Sequence, residues 1–107
     1  MQDEVKLLSL LGICRKGGLA GFGHDAAKAA MREKSARLCI VFADASDRLR
    51  GEFRKRAEET QTPLLELPLT AAQVKQATRI PAAVVAINEK GLAQKIRACA
   101  ESCEATQ

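Results

Sequence analysis

Two uninterrupted apolar runs, Leu38 to Ala43 (LCIVFA) and Ala82 to Ile87 (AAVVAI), limit the folds open to this chain more than any other feature. A strand with one wet face alternates apolar and polar residues, whereas a run without alternation belongs to a strand covered on both faces. Each run therefore demands packed layers on either side of a sheet. The chain has 107 residues, enough for one domain, and a chain of that mass buries roughly 65% of its unfolded surface on folding. A core of that size needs no disulfide or metal to stand.

The segments around the two runs read as helices. Asp3 to Arg15 is apolar at Val5, Leu7, Leu8, Leu10, Leu11, Ile13 and Cys14, with a narrow polar stripe at Asp3, Lys6, Ser9 and Lys16. Lys16 to Gly23 is too rich in glycine for a helix and reads as a loop or very short strand. The Ala-rich stretch His24 to Lys34 is a second helix, small enough at its surface to approach a sheet closely. After the first run, Asp44 to Gln61 forms a third helix with a core stripe at Leu49, Phe53 and Ala57 and a Glu52–Arg56 pair one turn apart. Pro63 to Leu67 is a short strand. Thr70 and Gln73 form a capping box, flanked by Leu69 and Val74 as its hydrophobic staple, so a fourth helix starts at Thr70. Following the second run, Asn88 caps a last helix with its stripe at Leu92, Ile96, Cys99 and Cys103. The alternation predicts an α/β sandwich with crossover helices on both faces of a small, largely parallel sheet. Residues 1–103 make one domain, and 104–107 are expected to fray.

Charge narrows the partners. Residues 1–56 carry 12 basic and 7 acidic side chains, net +5, and residues 57–107 carry 5 and 6, net −1. A basic half of this kind is compatible with nucleic acid and with an ordinary solvated surface. The three aromatics are all Phe, which argues against a reader that stacks single-stranded bases. No segment approaches the ~20 apolar residues of a membrane span, and Asp3 and Glu4 precede the first apolar run where a signal peptide would be basic. The protein is expected in the cytoplasm, away from membranes, with Cys14, Cys39, Cys99 and Cys103 as thiols.

The sharpest local string, Gly21 to Ala26 (GFGHDA), matches the dinucleotide fingerprint, with Asp44 placed where a ribose-binding carboxylate would follow. That mechanism needs a hydrophobic strand feeding into the glycines, and Arg15-Lys16-Gly17-Gly18 precedes them instead. What remains is a helix N-terminus after a flexible loop, a site for any phosphate-bearing partner. His24, the one histidine, and Cys14 and Asp25 do not form a nucleophilic set on spacing alone, so no enzyme is expected. Cys99 and Cys103, four apart on a helix, lack two further zinc ligands and read as core, so neither metal nor cofactor is expected. Arg15, Lys16, Lys28 and Arg32 flank the glycine-rich loop, where cations and free backbone N–H groups favour phosphate. Asp25 among them either accepts from base edges or caps the helix.

The ordered set Leu8-x-x-Leu11-Gly12-x-x-Arg15-Lys16-x-Gly18, Gly23 opening an Ala-rich helix, Ala36-Arg37-Leu38, Ala43-Asp44-Ala45-Ser46, Ala86-Ile87 and Gly91 resembles the ribosomal protein seven-Ae and thirty-e superfamily, in its bacterial YlxQ-like branch. The resemblance runs from about Lys6 to Ile96 and implies a three-layer α/β/α sandwich with a mixed sheet. It implies an RNA-binding protein of ribosomal type that recognises structured, kink-turn RNA. In the family a Gly-x-Asn-Glu-x-x-Lys stretch reads sheared G·A pairs, and here the four positions hold Gly23, Asp25, Ala26 and Ala29. Only the glycine is kept. Arg79 stands where relatives often carry glycine, in a second contact loop taken as Gln76 to Ile80. The basic cluster and the resemblance together predict RNA contacts from Lys16, Gly23, His24, Asp25, Lys28, Arg32, Arg79 and Ile80, made by a monomer to ribosomal or regulatory RNA, with ribosomal-protein contacts as a further option. A rival reading is a protein-interaction module of the translation machinery docking through Ile80 and Pro81; a third is nucleotide binding at Gly21 to Ala26.

Overall fold

The computed structural model describes residues 2–105, with side chains from residue 5 to residue 100. In chain order the elements are α1 (Gln2–Lys16), β1 (Ala20–Phe22), α2 (His24–Arg32), β2 (Leu38–Phe42), α3 (Asp47–Thr60), β3 (Leu64–Leu67), α4 (Ala71–Thr78), β4 (Val84–Ile87) and α5 (Lys90–Ala105). The four strands form one sheet in the order β1-β4-β2-β3.

The two apolar runs become the central strands β2 and β4, and their period of two divides the core. Leu38, Ile40, Phe42, Val85 and Ile87 face one layer, with Leu7, Leu11, Val74 and Ile96 from α1, α4 and α5. Cys39, Val41, Val84 and Ala86 face the other, with Ala27, Ala30 and Met31 of α2 and Phe53 and Ala57 of α3. The fold is a three-layer α/β/α sandwich, as the runs require. Truncating Phe53, fully buried between α3 and the sheet, would remove about 3–5 kcal/mol of that packing.

The sheet is mixed, as the resemblance implies, and not largely parallel as the alternation of strands and helices alone suggests. β2 and β3 pair in parallel, but β4 runs antiparallel to both β1 and β2. The cause lies in α4, which is tied at both ends to the place where β2 finishes. Asp44 accepts the Ala71 N–H with both carboxylate oxygens, at 3.1 and 3.0 Å. Beyond α4, the Ala83 carbonyl accepts the Phe42 N–H at 3.0 Å. The chain therefore enters β4 from the end at which it left β3, and β4 must run the other way. A helix of 8 residues, ~12 Å long, rests on α1 and does not cross back along the sheet as the 14-residue α3 does.

Several boundaries follow from caps. Thr70 and Gln73 form the expected box, with bonds of 3.2 and 2.9 Å, and Leu69 and Val74 are buried beside it. The Ser46 hydroxyl accepts the Leu49 N–H at 3.1 Å, so α3 starts at Asp47 and not at Asp44. Asn88 is not the cap of α5. Its N–H is drawn into the sheet by the Leu19 carbonyl at 2.8 Å, and Glu89 instead accepts the N–H groups of Gly91 and Leu92 at 3.0 and 2.6 Å. The wet side of α1 is also wider than expected: Val5 and Ile13 are 65% and 52% exposed. The stripe of α5 includes buried Ala93 and Ala100 beside Ile96 and Cys99, while the Cys103 side chain and residues 106–107 lie outside the described residues. Among the described residues no helix is long and apolar enough to cross a membrane.

The two N–H bonds to Glu89, Leu92 first, hold its carboxyl below the ordinary glutamate range. A lowered folded-state pKa contributes stability above the unfolded value that disappears as the pH falls through the folded one. Glu89→Gln should therefore lower Tm near neutral pH, with the difference closing in acid, and Asn88→Ala should lower it less. Circular dichroism melts across pH check both.

Candidate nucleic-acid interface

One end of the sheet gathers three chain segments that are distant in sequence. Because β1 and β4 are antiparallel with Phe22 opposite Val85, the end of β1 meets the start of β4. Gly23 caps α2 there, donating its N–H to the Val84 carbonyl at 2.9 Å. Its φ of 100° and ψ of 170° are open to glycine and strained for other residues. The start of α2 is thereby fixed beside residues 79–83, which lead into β4.

The other end of that segment faces the end of α1. Arg15 and Lys16, in the last turn of α1, line a cavity of about 320 Å³ together with Gly12, Ala77, Thr78 and Arg79. α1 and α4 approach closely at Gly12, where a Cβ would lie 3.2 Å from the Ala77 carbonyl oxygen. Arg79 ends α4 in the left-handed region, φ 68°, with its N–H on the Lys75 carbonyl. This is the conformation that glycine adopts freely and an L side chain adopts at a cost of about 1–2 kcal/mol. It explains why glycine suits the position and makes arginine conspicuous there. Thr78, buried, holds the turn: its hydroxyl lies 2.8 Å from the Val74 carbonyl and accepts the Ile80 N–H at 3.3 Å. Nothing in the sequence pattern had singled out Thr78. The second contact stretch is also shorter than expected, because Gln76, Ala77 and Thr78 belong to α4 and the loop begins at Arg79.

Residues 79–83 thus join the two halves of the site. A segment of that length spans at most ~17 Å, so Arg15, Lys16 and Arg79 stand within one ligand's reach of Gly23 and Asp25. None of the three cations pairs with a carboxylate among the described residues. The arginines of α3 do: Arg54 meets Glu66 at 2.8 Å and Arg56 meets Glu52 at 3.2 Å.

The remaining candidates on α2 divide by helix face. Ala27, Ala30 and Met31 are buried and define the inward side. His24 turns toward α3, its Nε2 lying 3.0 Å from Glu52 and its ring edge-on to Phe53 at 5.4 Å. At 100° per residue, Lys28 lies about 40° round from His24 on that flank and Arg32 about 80° round, close to the bearing of Asp25, whereas Ala26 and Ala29 lie toward β1. Asp25 points outward between them with a fully exposed side chain. It does not cap α2, since Gly23 does so without a side-chain bond. Neither Lys28 nor Arg32 lines the cavity of Arg15, Lys16 and Arg79.

The same geometry separates the residues of other chemistries. Cys14 is buried in the layer of α1, and burial pushes its thiol up to about 11; Cys39, facing the opposite layer, is pushed up to about 12 by burial. Thiols so raised carry little thiolate at neutral pH. His24 lies across the sheet from Cys14, so those two do not meet. Asp44, the residue matched to a ribose carboxylate, is engaged in holding α4. Among the described residues no group of three His, Cys, Asp or Glu side chains is placed to hold a metal ion. Ile80 is half-buried and Pro81 exposed. The larger exposed apolar surface is a groove of about 430 Å³ on α1, lined by Val5, Leu8, Gly12, Ile13 and Ala77.

Neither a protein-family model nor a curated protein matches this chain. Solved structures do share its fold. A Bacillus halodurans protein of unknown function superposes with a TM-score of 0.82 at 18% identity, over 90% of this chain and 97% of that one. A 15.5kD RNA binding protein from Giardia lamblia superposes with a TM-score of 0.75 at 19% identity, over 98% of this chain and 90% of that one.

Two outcomes test this geometry. Arg79→Gly should stabilise the fold by roughly 1 kcal/mol, since the left-handed strain is released; urea unfolding followed by circular dichroism reads the difference. The hydrogen bond from His24, followed by that from Arg56, holds the Glu52 carboxyl below the usual glutamate range. In carboxyl-carbon NMR titrations, His24→Ala should move the Glu52 midpoint upward; an unmoved midpoint would mean that the His24 contact does not form.

Proposed function

We propose that this protein binds structured RNA, ribosomal or regulatory, without catalysing a reaction on it, at the end of the sheet where α1 finishes, α2 begins and residues 79–83 enter β4. The observation that carries this reading is the convergence of Arg15, Lys16 and Arg79, all without carboxylate partners among the described residues, beside the start of α2. Phosphates suit this place: three cations surround a cavity, and the first N–H groups of α2 point outward from a glycine that permits close approach. Asp25, exposed at that start, suits an amino group on a base edge, which donates where a phosphate cannot. Ile80 adds an apolar wall. With Phe as the one aromatic type in the chain, shape, phosphates and base edges bear the recognition. Support also comes from the fold shared with the Giardia RNA binding protein. The non-catalytic reading rests on Cys14 and His24 facing opposite sides of the sheet and on the absence of any other nucleophile and base brought together among the residues singled out.

Kink-turn recognition is the finer part of the proposal. Ala26 and Ala29 stand where the resemblance leads one to expect a glutamate and a lysine, and each lost polar reader removes about 1–3 kcal/mol of base discrimination. The preference for a kink-turn RNA over a copy with disrupted G·A pairs should accordingly be tenfold or less. A hundredfold preference would contradict this account of the two alanines.

Salt dependence tests the phosphate contacts. For a short RNA confined to this face, three contacts at about −0.9 each predict a log–log slope near −2.7. Arg15→Gln, Lys16→Gln and Arg79→Gln combined should abolish most of that slope. Lys28→Gln with Arg32→Gln, neither of which lines that cavity, should change it by less than one contact. A slope near zero for the unaltered protein would overturn the reading.

The α1 groove supports a second reading, a docking module of the translation machinery in which Val5 and Ile13 offer a larger apolar surface than Ile80 and Pro81. A pull-down that survives ribonuclease and fails with Ile13→Asp would favour it.

A further inference from the structure

A second cationic cavity lies at the opposite end of β4. Arg37, Lys90, Gln94 and Arg97, with Ala93 at the base, line a space of about 330 Å³. The antiparallel pairing of β2 and β4 brings this about. The Arg37 N–H donates to the Ile87 carbonyl at 2.7 Å, so the residue before β2 sits where β4 ends and α5 begins. From α5, Lys90, Gln94 and Arg97 fall on one stripe at helical spacing. None of the three cations pairs with a carboxylate among the described residues. The acid nearest in sequence, Glu89, is engaged in accepting the N–H groups of Gly91 and Leu92. Among the described residues the lining holds no aromatic ring and no acid, so it suits the phosphate of a ligand and offers nothing for a base to stack on.

We propose that Arg37, Lys90, Gln94 and Arg97 form a second phosphate-contacting site that takes the sugar–phosphate backbone of an RNA already held at the first face. The proposal rests on the RNA-binding reading. β4 separates the two sites by about 10 Å of strand, and the molecule is 33 Å along its longest axis. A single folded RNA with an extended arm can therefore meet both, and the second site converts a local contact into a bivalent grip. A free phosphate or nucleotide would meet the same cations, and the test separates these sources.

Two RNA hairpins are compared: a short one confined to the first face, and the same hairpin with one helical arm lengthened. The unaltered protein should bind the long RNA roughly tenfold tighter, with a salt slope steeper by about 2.7 for three added phosphate contacts. Arg37→Gln, Lys90→Gln and Arg97→Gln combined should remove that gain and leave the short RNA unaffected. Arg97→Gln alone should remove about 0.9 of slope. All three cations are exposed, and circular dichroism verifies the fold of each variant. Equal binding of both RNAs by the unaltered protein, or a triple variant that keeps the full slope, would overturn the proposal. So would side-chain NMR shifts of Arg37 and Arg97 that respond to inorganic phosphate and not to the long RNA. Failure of the first reading looks different: the Arg15, Lys16 and Arg79 variant would then bind the short RNA as well as the unaltered protein does.

Discussion

The placement of β4 governs the rest of this structure. It lies between β1 and β2, buried on both faces and antiparallel to each neighbour. That position carries the start of β4 to the end of β1, where α2 begins, and the end of β4 to the start of β2, where Arg37 stands. Both cationic cavities are consequences of that arrangement. Had β4 run parallel, residues 79–83 would lie at the other end of the sheet and Arg79 would not meet Arg15 and Lys16. The insertion is held by hydrogen bonds on both edges and by side chains from both helical layers, so it belongs to the part of the fold least free to move.

The net charge is a poor guide to where such a molecule attracts an anion. Much of the excess in the first 56 residues sits on α3, where Arg54 and Arg56 meet Glu66 and Glu52, and Arg50 donates to the Ala43 carbonyl. Exposed pairs of this kind add little stability, but they cancel much of the local field. The cations of the two cavities, which have no carboxylate partner among the described residues, lie near the two ends of β4. Arg79 adds a second distinction, since its backbone is held in a conformation unfavourable for an arginine. Lys34 and Gln61 share that left-handed conformation at the ends of their helices, so it is the position of Arg79 beside Arg15 and Lys16 that distinguishes it.

Much of the architecture was legible in the residues, because it depends on neighbours in sequence. LCIVFA and the run ending at Ile87 marked the two central strands, and Thr70 with Gln73 marked the start of α4 through bonds made within one turn. The errors came where the deciding partner is distant. Strand direction depended on Asp44 reaching Ala71. The cap of α5 moved from Asn88 to Glu89 because Leu19, far back in the chain, drew Asn88 into the sheet. The faces of α1 were misjudged because Val5 and Ile13 are apolar yet find no covering layer. At the site, Gly23, Asp25 and the cations of α1 could be named from the sequence, and Arg79 from the family resemblance. That Lys28 and Arg32 do not line the same cavity depends on how α1 and α4 pack, and the Arg37 cavity joins the residue before β2 to residues of α5 that no local pattern connects.

The central claim is that RNA meets the end of the sheet where α2 begins and residues 79–83 enter β4. The most direct measurement is NMR of the isotope-labelled protein titrated with a short RNA hairpin bearing an asymmetric internal loop, reading backbone amides and arginine Nε–H groups together. The account predicts the largest shifts at Gly23, Asp25 and residues 79–83, and at the side chains of Arg15 and Arg79. Shifts confined to the exposed face of α1 around Val5 and Ile13, with residues 79–83 unmoved, would contradict it.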